Sequence, residues 1–354
     1  MIILQIITYT ELIVGIYILL ILLFLIIIYT LLKSIIEYKI ITKKNKWNAI
    51  IDQEIYETIL EENNQQNTDF NDYLKSSLFK HYFIKKLLKA EHNFSGNSKE
   101  NIRNLFGQYQ LKKISLQKLN SKKGYEIAEA IQEVTAMNCI ETLPKIKTLL
   151  HHRNELVRTE AQYGLVKFSG FEGLYFLDDL QEQLTDWHQL KLLEAINTLP
   201  NNDEVEQSIS NWLKSTNQSV KVFAMKLIRK FQLLQIHDLV AENLHDSDEK
   251  TLKETIETLV RIESETTSTL FIHHYERYEE KFQLQILKAL ELISNPENSL
   301  FLKTQAIENE SFSVKKASVK ALIHCCDKNE VLQLSTQSNS PELRQIINQI
   351  IQEH

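Results

Sequence analysis

Side chains that could do chemistry are sparse in this chain of 354 residues, and their spacing is unfavourable for it. The candidate metal ligands stand in three short runs: His151-His152, His273-His274 and His324-Cys325-Cys326. Neighbours on a helix point about 100° apart, so an adjacent pair chelates a metal ion poorly. Cysteine at the end of a helix is more often a small core residue. We predict no metal site and no cofactor.

The motifs that mark common enzymes are also absent from the sequence. It holds no Gly-rich phosphate loop, no HExxH, no CxxC and no nucleophile elbow. The acidic pair Asp178-Asp179 is interpreted as part of an exposed helix face that needs no special role. No catalytic residue is therefore assigned.

The elements that would position any binding residue repeat along the chain. An apolar residue is followed by apolar residues four, seven and eight positions later, and this helical pattern recurs about every thirty-one residues. It starts at Val157, His188, Val220, Leu252, Phe282, Val314 and Leu343. Only His188, Gly164 and Ser318 break it, in a chain that is 43% hydrophobic. A fixed period of this length predicts a solenoid of helix pairs.

Glycine and proline are rare, with 7 and 4 residues, which argues against a fold rich in β-turns. A second amphipathic segment precedes each pattern helix. These segments are 139–150, 171–184, 205–213, 233–244, 267–278, 299–307 and 330–336. We therefore predict an all-α, right-handed α-solenoid of about seven to eight helix pairs. A weaker eighth repeat is predicted at Ile127, Ile131 and Val134.

The pattern resembles the HEAT repeat, in the short form common in bacteria that includes repeats named after bilin lyases. The segments 154–158 and 217–221 are similar to the start of the second HEAT helix, and 143–150 is similar to the first. The resemblance implies that the basic residue after the first apolar position pairs with acidic or Asn groups in neighbouring turns, or contacts a ligand. This column holds Arg158, Lys221, Lys253, Lys315 and Arg344, with Asp186, Asn217 and Asp248 as expected partners.

The resemblance also implies that the second helix lines a concave wall. Positions +2, +6 and +9 of the pattern point away from the buried face. Three units also carry apolar residues outside the four pattern positions: Trp187, Leu190 and Leu193 in one, Val222 and Met225 in the next, and Leu284 and Leu287 in the third. Wider burial or a strip for a partner explains these apolar residues. The partner-binding candidates are Tyr163, Leu190, Lys226, Arg229, Arg261, Lys288, Lys316 and Lys320. The alternative for the charged ones is an ordinary solvated face.

The N-terminal region predicts a membrane anchor. Residues 12–32 carry no charge, and at 1.5 Å per residue they cross the roughly 30 Å hydrocarbon core. A cleaved signal peptide needs a basic start and a small-residue cleavage site, and neither is present. Five lysines between Lys33 and Lys46, opposed only by Glu37, place this flank in the cytoplasm. We predict a single-pass inner-membrane protein with its N-terminus outside and residues 33–354 cytoplasmic.

Between the anchor and the repeats we predict a less regular helical region. One helix continues through 33–62, residues 61–68 form a loop, and single helices cover 69–90 and 99–119. The predicted domains are an anchor with its basic flank at 1–46, an irregular region at 47–122 that caps the repeats, and a solenoid at 123–354. Three cysteines give no disulfide framework, which fits a reducing compartment.

The predicted function is that of a membrane-anchored scaffold or adaptor whose solenoid recruits or regulates a protein partner, such as a membrane polysaccharide glycosyltransferase. The net charge is −6, and removing Glu11 and the net +4 of 33–46 leaves −9 for residues 47–354. Such an acidic body argues against a nucleic-acid partner, and no small-molecule substrate is evident. The alternatives are a HEAT-like lyase acting on a modified protein, and a periplasmic scaffold if the topology is inverted.

Overall fold

The computed structural model describes residues 9–60, 68–201, 203–246, 248–337 and 340–353. Within this described part the chain is helical and contains no strand, which confirms the all-α prediction. Two compact units divide at residue 142: unit 1 is Met1–Thr142 and unit 2 is Leu143–His354. The predicted loop at 61–68 falls almost wholly outside the described residues.

The described residues of unit 1 form six α-helices. They are α1 (Tyr9–Leu60), α2 (Thr68–Tyr73), α3 (Ser77–Asn93), α4 (Gly96–Gln108), α5 (Lys112–Leu119) and α6 (Gly124–Ala136). Helix α1 runs without interruption, as predicted for its second half. None of its apolar window is buried, and by length and composition it is a candidate membrane span. Its side chains become buried at Trp47, and Ile51 and Ile55 follow into the core of unit 1.

A connected set of aromatic rings forms the centre of unit 1. Phe79 lies 5.5 Å from Trp47 and 5.5 Å from Phe70 between ring centroids, and Phe70 lies 5.0 Å from Tyr109. Such edge-on and tilted contacts favour aromatic pairs beyond the area that they bury. The rings come from α1, α2, α3 and the end of α4, so one cluster holds these helices together. We call it the ring cluster: Trp47, Phe70, Tyr73, Phe79, Tyr82, Phe83 and Tyr109.

Two predicted single helices of unit 1 are each two helices, so these predictions were wrong. The segment 69–90 breaks after Tyr73, because the Ser76 side chain accepts from Phe79 N and caps the start of α3. The segment 99–119 breaks after Gln108, where Gln110 has a left-handed backbone with φ 54°. This turn directs Leu111 into the core, where it is fully buried.

Unit 2 contains the seven repeats of the pattern. The helices that carry it are α8 (Glu155–Ser169), α9 (Asp186–Ala195), α11 (Gln218–Phe231), α13 (Glu249–Arg261), α15 (Glu280–Ile293), α17 (Phe312–Cys325) and α19 (Pro341–Glu353). Each begins two or three residues before its predicted first apolar position. All 28 pattern positions are buried except Val260 and Ile351, which are half-buried. Even the three residues that break the apolar pattern are buried.

The preceding segments are shorter and less regular helices. They are α7 (Leu143–Lys147), α10 (Asp203–Leu213), α12 (His237–Ala241), α14 (Thr267–His274), α16 (Ser299–Glu308) and α18 (Lys328–Gln337), with a 3₁₀ helix, Gly170–Leu177, in the second repeat. Each pattern helix contacts the next pattern helix along the chain, from α8 to α19. The weak repeat at Ile127, Ile131 and Val134 is the buried face of α6, in unit 1.

Candidate functional site

The eight predicted binding residues lie on six helices of unit 2. Tyr163 is on α8, Leu190 on α9, Lys226 and Arg229 on α11, Arg261 at the end of α13, Lys288 on α15, and Lys316 and Lys320 on α17. Leu190, Arg261 and Lys288 are exposed, and the other five are half-buried. The structure connects Lys226 and Arg229 through a shared carboxylate, while the last four residues make no ion pair within the described residues.

The connected cations belong to a charge network that joins α9, α11 and α13. Lys226 Nζ lies 3.6 Å from Asp186 Oδ1 and 4.0 Å from Glu254 Oε1. Arg229 pairs with the same Glu254 and, at 3.0 Å, with Glu257. Lys250 reaches Asp186 at 2.7 Å and holds the pKa of that carboxyl below its usual value. Two of the predicted binding cations are therefore balanced within the chain.

We name this charge network by its six residues: Asp186, Lys226, Arg229, Lys250, Glu254 and Glu257. It also fixes one buried amide, because Lys226 Nζ donates to Gln189 Oε1 at 2.9 Å and Gln189 Nε2 donates to the Leu184 carbonyl. The network thus sets the positions of neighbouring pattern helices. Its side chains are available to a partner mainly as a polar rim.

Tyr163 belongs to a separate contact between α8 and α9. Lys191 Nζ lies 4.4 Å from the centroid of the Tyr163 ring and 2.9 Å from Glu160 Oε1. Glu160 is almost fully buried, and its second carboxylate oxygen has no hydrogen-bond partner. The lysine therefore pairs with a buried carboxylate and places its ammonium group over the Tyr163 ring.

In the predicted apolar strip only two side chains, Trp187 and Leu190, are exposed, while Leu193 and Leu284 are half-buried. Val222, Met225 and Leu287 are fully buried, so wider burial explains them. Trp187 is 70% exposed and Leu190 is 55% exposed, three residues apart on one side of α9. Trp is among the residue types enriched in protein interfaces, and here its exposed side chain lies on the same helix as an exposed Leu and directly after Asp186 of the charge network.

The basic column after the first apolar position pairs within the chain. Lys221 lies 2.6 Å from Asp246, Lys315 lies 2.6 Å from Glu342, and Arg158 lies 3.6 Å from Glu182. Pairing inside the chain is confirmed for these three. The expected partners were wrong, because Asp186 belongs to the charge network, Asn217 donates to the Leu180 and Glu182 carbonyls, and Asp248 caps α13.

The histidine and cysteine runs form no metal site in the described part of the chain. His274 meets His245 edge-on at 4.6 Å between ring centroids, and burial lowers its pKa, which keeps it neutral. Burial raises the pKa of the Cys325 thiol to about 11, so the nucleophilic thiolate is disfavoured. Cys325 is buried at the end of α17, as a small core residue would be.

One concave site was missed by the sequence interpretation. A pocket of about 210 Å³ opens between the 3₁₀ helix Gly170–Leu177 and α10. Its walls include three aromatic side chains and three carboxylates: Phe171, Tyr175, Trp212, Glu172, Asp178 and Glu204. Asp178 is exposed, as expected. It nevertheless has a structural role, because Trp212 Nε1 donates a hydrogen bond to its Oδ1 at 2.7 Å. The only sequence signal was that Phe171, Tyr175 and Asp178 are spaced about one helical turn apart, which places them on the same side of a helix.

Comparisons with known proteins leave the chain without a family. No family model matches it, and no curated protein does. Two similar solved structures are crystal structures of engineered proteins from the Northeast Structural Genomics Consortium. One is 13% identical, with a TM-score of 0.36 over 78% of this chain and 85% of its own. The other is 14% identical, with a TM-score of 0.30 over 68% of this chain and 96% of its own. Similarity of this degree carries no argument about function.

Proposed function

We propose that this chain is a membrane-anchored scaffold whose unit 2 binds a partner protein. In this proposal the N-terminal half of α1 spans the inner membrane, the N-terminus lies outside, and residues 33–354 lie in the cytoplasm. Unit 2 is a right-handed α-solenoid of HEAT-like helix pairs. The observation that carries the binding role is the exposed pair Trp187 and Leu190 on α9, bordered by the charge network.

The continuity of α1 supports a permanent anchor. The helix passes from its uncovered apolar stretch through the lysine-rich segment and into the core of unit 1 without a break. Asn48 and Asp52 hold its last turns to α3, through Tyr82 Oη at 2.7 Å and Lys86 Nζ at 2.9 Å. A cleaved signal sequence is normally separated from the mature domain by a small-residue cleavage site, and here the helix is part of the domain core.

The serial packing of the pattern helices supports the solenoid. Each buries its apolar face against the helices next to it along the chain, which is how repeat proteins build an extended core. Seven pattern helices are separated by six intervals, and at 9–10 Å each these would give a surface on the order of 55 Å long. A surface of that length is suited to a protein and is larger than a small molecule needs.

The mechanism that follows is co-localisation. A partner bound to unit 2 is confined to a thin layer beside the membrane, which raises its effective concentration toward membrane-bound enzymes without any new contact between them. Such a device requires no catalytic residue in the scaffold itself. A membrane enzyme system, such as a polysaccharide glycosyltransferase, is the kind of client that this arrangement serves.

The test is site-specific photo-crosslinking of the full chain in its native membranes. Benzoylphenylalanine replaces Leu190 in one variant and Leu300 in a control. Leu300 is 76% exposed on α16, a helix that carries no residue of the charge network. We expect a discrete adduct with another protein from position 190 and none from position 300. Equal labelling at both positions, or adducts with lipid alone, would contradict the binding role of α9.

The topology is tested separately with alkaline phosphatase fused after residue 353. The proposed orientation leaves the fusion in the cytoplasm, where the phosphatase stays inactive because its disulfides do not form. An active fusion would invert the topology and make the protein a periplasmic scaffold.

A further inference from the structure

The pocket between the 3₁₀ helix and α10 differs from the surface around it in having aromatic walls. Phe171 and Trp212 form its base, with ring centroids 5.6 Å apart, and both are almost fully buried. Tyr175 is 48% exposed, so its ring forms the accessible wall. A cavity of about 210 Å³ is below the usual 300–1,000 Å³ of small-molecule sites and suits a single side chain.

The charged residues that line this pocket in the described part of the chain are all acidic. Glu172 and Asp178 line the pocket together with Glu204, and neither of the first two forms an ion pair within the described residues. The indole N–H of Trp212 holds Asp178 Oδ1 at 2.7 Å and so fixes this carboxylate at the edge of the aromatic base. An anion would be repelled here, while a cation would be attracted by the carboxylates and by the ring faces.

We infer that this pocket binds the side chain of an arginine from the partner protein. The guanidinium group is planar, packs against an aromatic face and donates to carboxylates from its edge at the same time. The pocket offers both, with the Tyr175 ring as the face and Glu172 and Asp178 as acceptors. The inference rests on the proposed protein-binding function, and it names the chemistry by which unit 2 selects its partner.

The probe is Nα-acetyl-arginine amide, and the matched control ligand is Nα-acetyl-citrulline amide, which has the same shape but no charge. The full chain is labelled with 5-fluorotryptophan in a non-ionic detergent, and its fluorine spectrum has one signal for each of Trp47, Trp187 and Trp212. Replacement of Trp187 by Phe assigns one signal, and Trp212→Phe assigns another. We expect arginine to shift the Trp212 signal saturably, with at least tenfold weaker binding of citrulline.

Two substitutions made together remove the charges but keep the hydrogen-bonding shape. In the double variant Glu172→Gln with Asp178→Asn, the Asn side-chain oxygen still accepts from Trp212, so the fold is retained. We expect the arginine affinity to fall at least tenfold, and the control Glu263→Gln, at an exposed position outside the pocket, to leave it unchanged. Equal binding of arginine and citrulline, no saturable shift, or full affinity in the double variant would overturn the inference.

Capture of a partner separates this inference from the proposed function. If the crosslinked adduct at position 190 forms equally in the wild type and the double variant, the scaffold role stands and the pocket role fails. If arginine binds but no protein adduct forms from α9, the pocket binds cations and the scaffold role fails. A loss of both adduct and arginine binding in the double variant supports both.

Discussion

Unit 1 and unit 2 are both all-helical, but their cores are built in different ways. In unit 1 a single connected ring cluster joins four helices, and its residues follow no repeating spacing. In unit 2 the buried positions are mainly aliphatic and recur in every pattern helix, and each pattern helix contacts its neighbours along the chain. The first core depends on a few large side chains, and the second depends on many equivalent small ones.

This difference predicts a difference in cooperativity. Loss of one ring from a shared cluster should weaken every helix that contacts it, because the same side chains serve all of them. Loss of one aliphatic side chain from a repeat should weaken that repeat and its neighbours, since stability in repeat proteins is approximately a sum of local terms. The first two of the four predictions below test this contrast, and the other two test single positions within the two cores.

The largest effect is expected from Phe79→Ala at the centre of the ring cluster. Phe79 is fully buried and contacts rings from α1 and α2, so truncation should lower the free energy of unfolding by about 3–5 kcal/mol. Hydrogen exchange should accelerate throughout α1 from residue 47 to α4. The control is Leu78→Ala, because Leu78 is 71% exposed on the same helix. A loss below about 1 kcal/mol, or exchange confined to α3, would remove the contrast.

A slightly smaller and more local effect is expected from Leu290→Ala in α15. This pattern position is fully buried, and its truncation should cost about 2–4 kcal/mol. Faster hydrogen exchange should be restricted to α13, α15 and α17. Leu292→Ala is the matched control, since Leu292 is 66% exposed two residues later. Acceleration that extends to α8 would show that unit 2 unfolds as one block.

The third prediction concerns the one histidine that occupies a first apolar position. Burial, with Lys191 and Arg158 nearby, lowers the pKa of His188 to about 4 from an ordinary 6.5. The unfolded chain therefore takes up the proton first as pH falls. The contribution of His188 to the free energy of unfolding is fully present above pH 6.5. It declines as the pH falls toward 4, by up to about 3 kcal/mol.

Replacement of His188 by Leu removes this proton linkage and places an aliphatic residue in the aliphatic column. The variant should be more stable than the wild type, and its advantage should grow between pH 6.5 and 4 in thermal unfolding. The exposed His151→Leu is the control, for which we expect no growing advantage. If the advantage of His188→Leu is the same at both pH values, folding does not change the pKa of this histidine, and the proposed proton linkage is absent.

The smallest effects are expected from two glycines. A Cβ at Gly173 would lie 2.8 Å from Val166 Cα and 2.9 Å from the Leu165 carbonyl oxygen, so Gly173→Ala forces the backbone of α8 to move and should cost about 1–3 kcal/mol. Gly107 in α4 has open space around it, and Gly107→Ala should stabilise unit 1 by about 0.5–1 kcal/mol. Chemical denaturation measures the change in the free energy of unfolding for both variants. A change of the same sign in the two would contradict the assigned packing.

Periodicity determined how far the sequence predicted this fold. The seven pattern helices were placed correctly because the same four positions are buried in nearly every one, so each repeat tests the others. The helices of unit 1 lack that redundancy. Their breaks at Ser76 and Gln110 depend on one capping hydroxyl and one left-handed residue, which an apolar pattern does not reveal.

The candidate site was predicted less well for a related reason. Helical position shows that Lys226 faces away from the core, but it does not show that Asp186 and Glu254, from other repeats, come within 4 Å. The pocket at Trp212 also depends on a contact across 34 residues, with Asp178. Local patterns predict which side a residue faces, and only the packing shows what it meets there.

Helix α1 has a mechanical consequence if its apolar stretch lies in a bilayer. From Leu32 to Leu60 the helix has no break and extends about 40 Å, so it acts as a lever attached to the ring cluster. A change of 10° in tilt, well within what thickness mismatch produces, would displace its end by about 7 Å. A change in the composition, and so the thickness, of the surrounding bilayer would then move the folded part of unit 1 laterally by a similar distance.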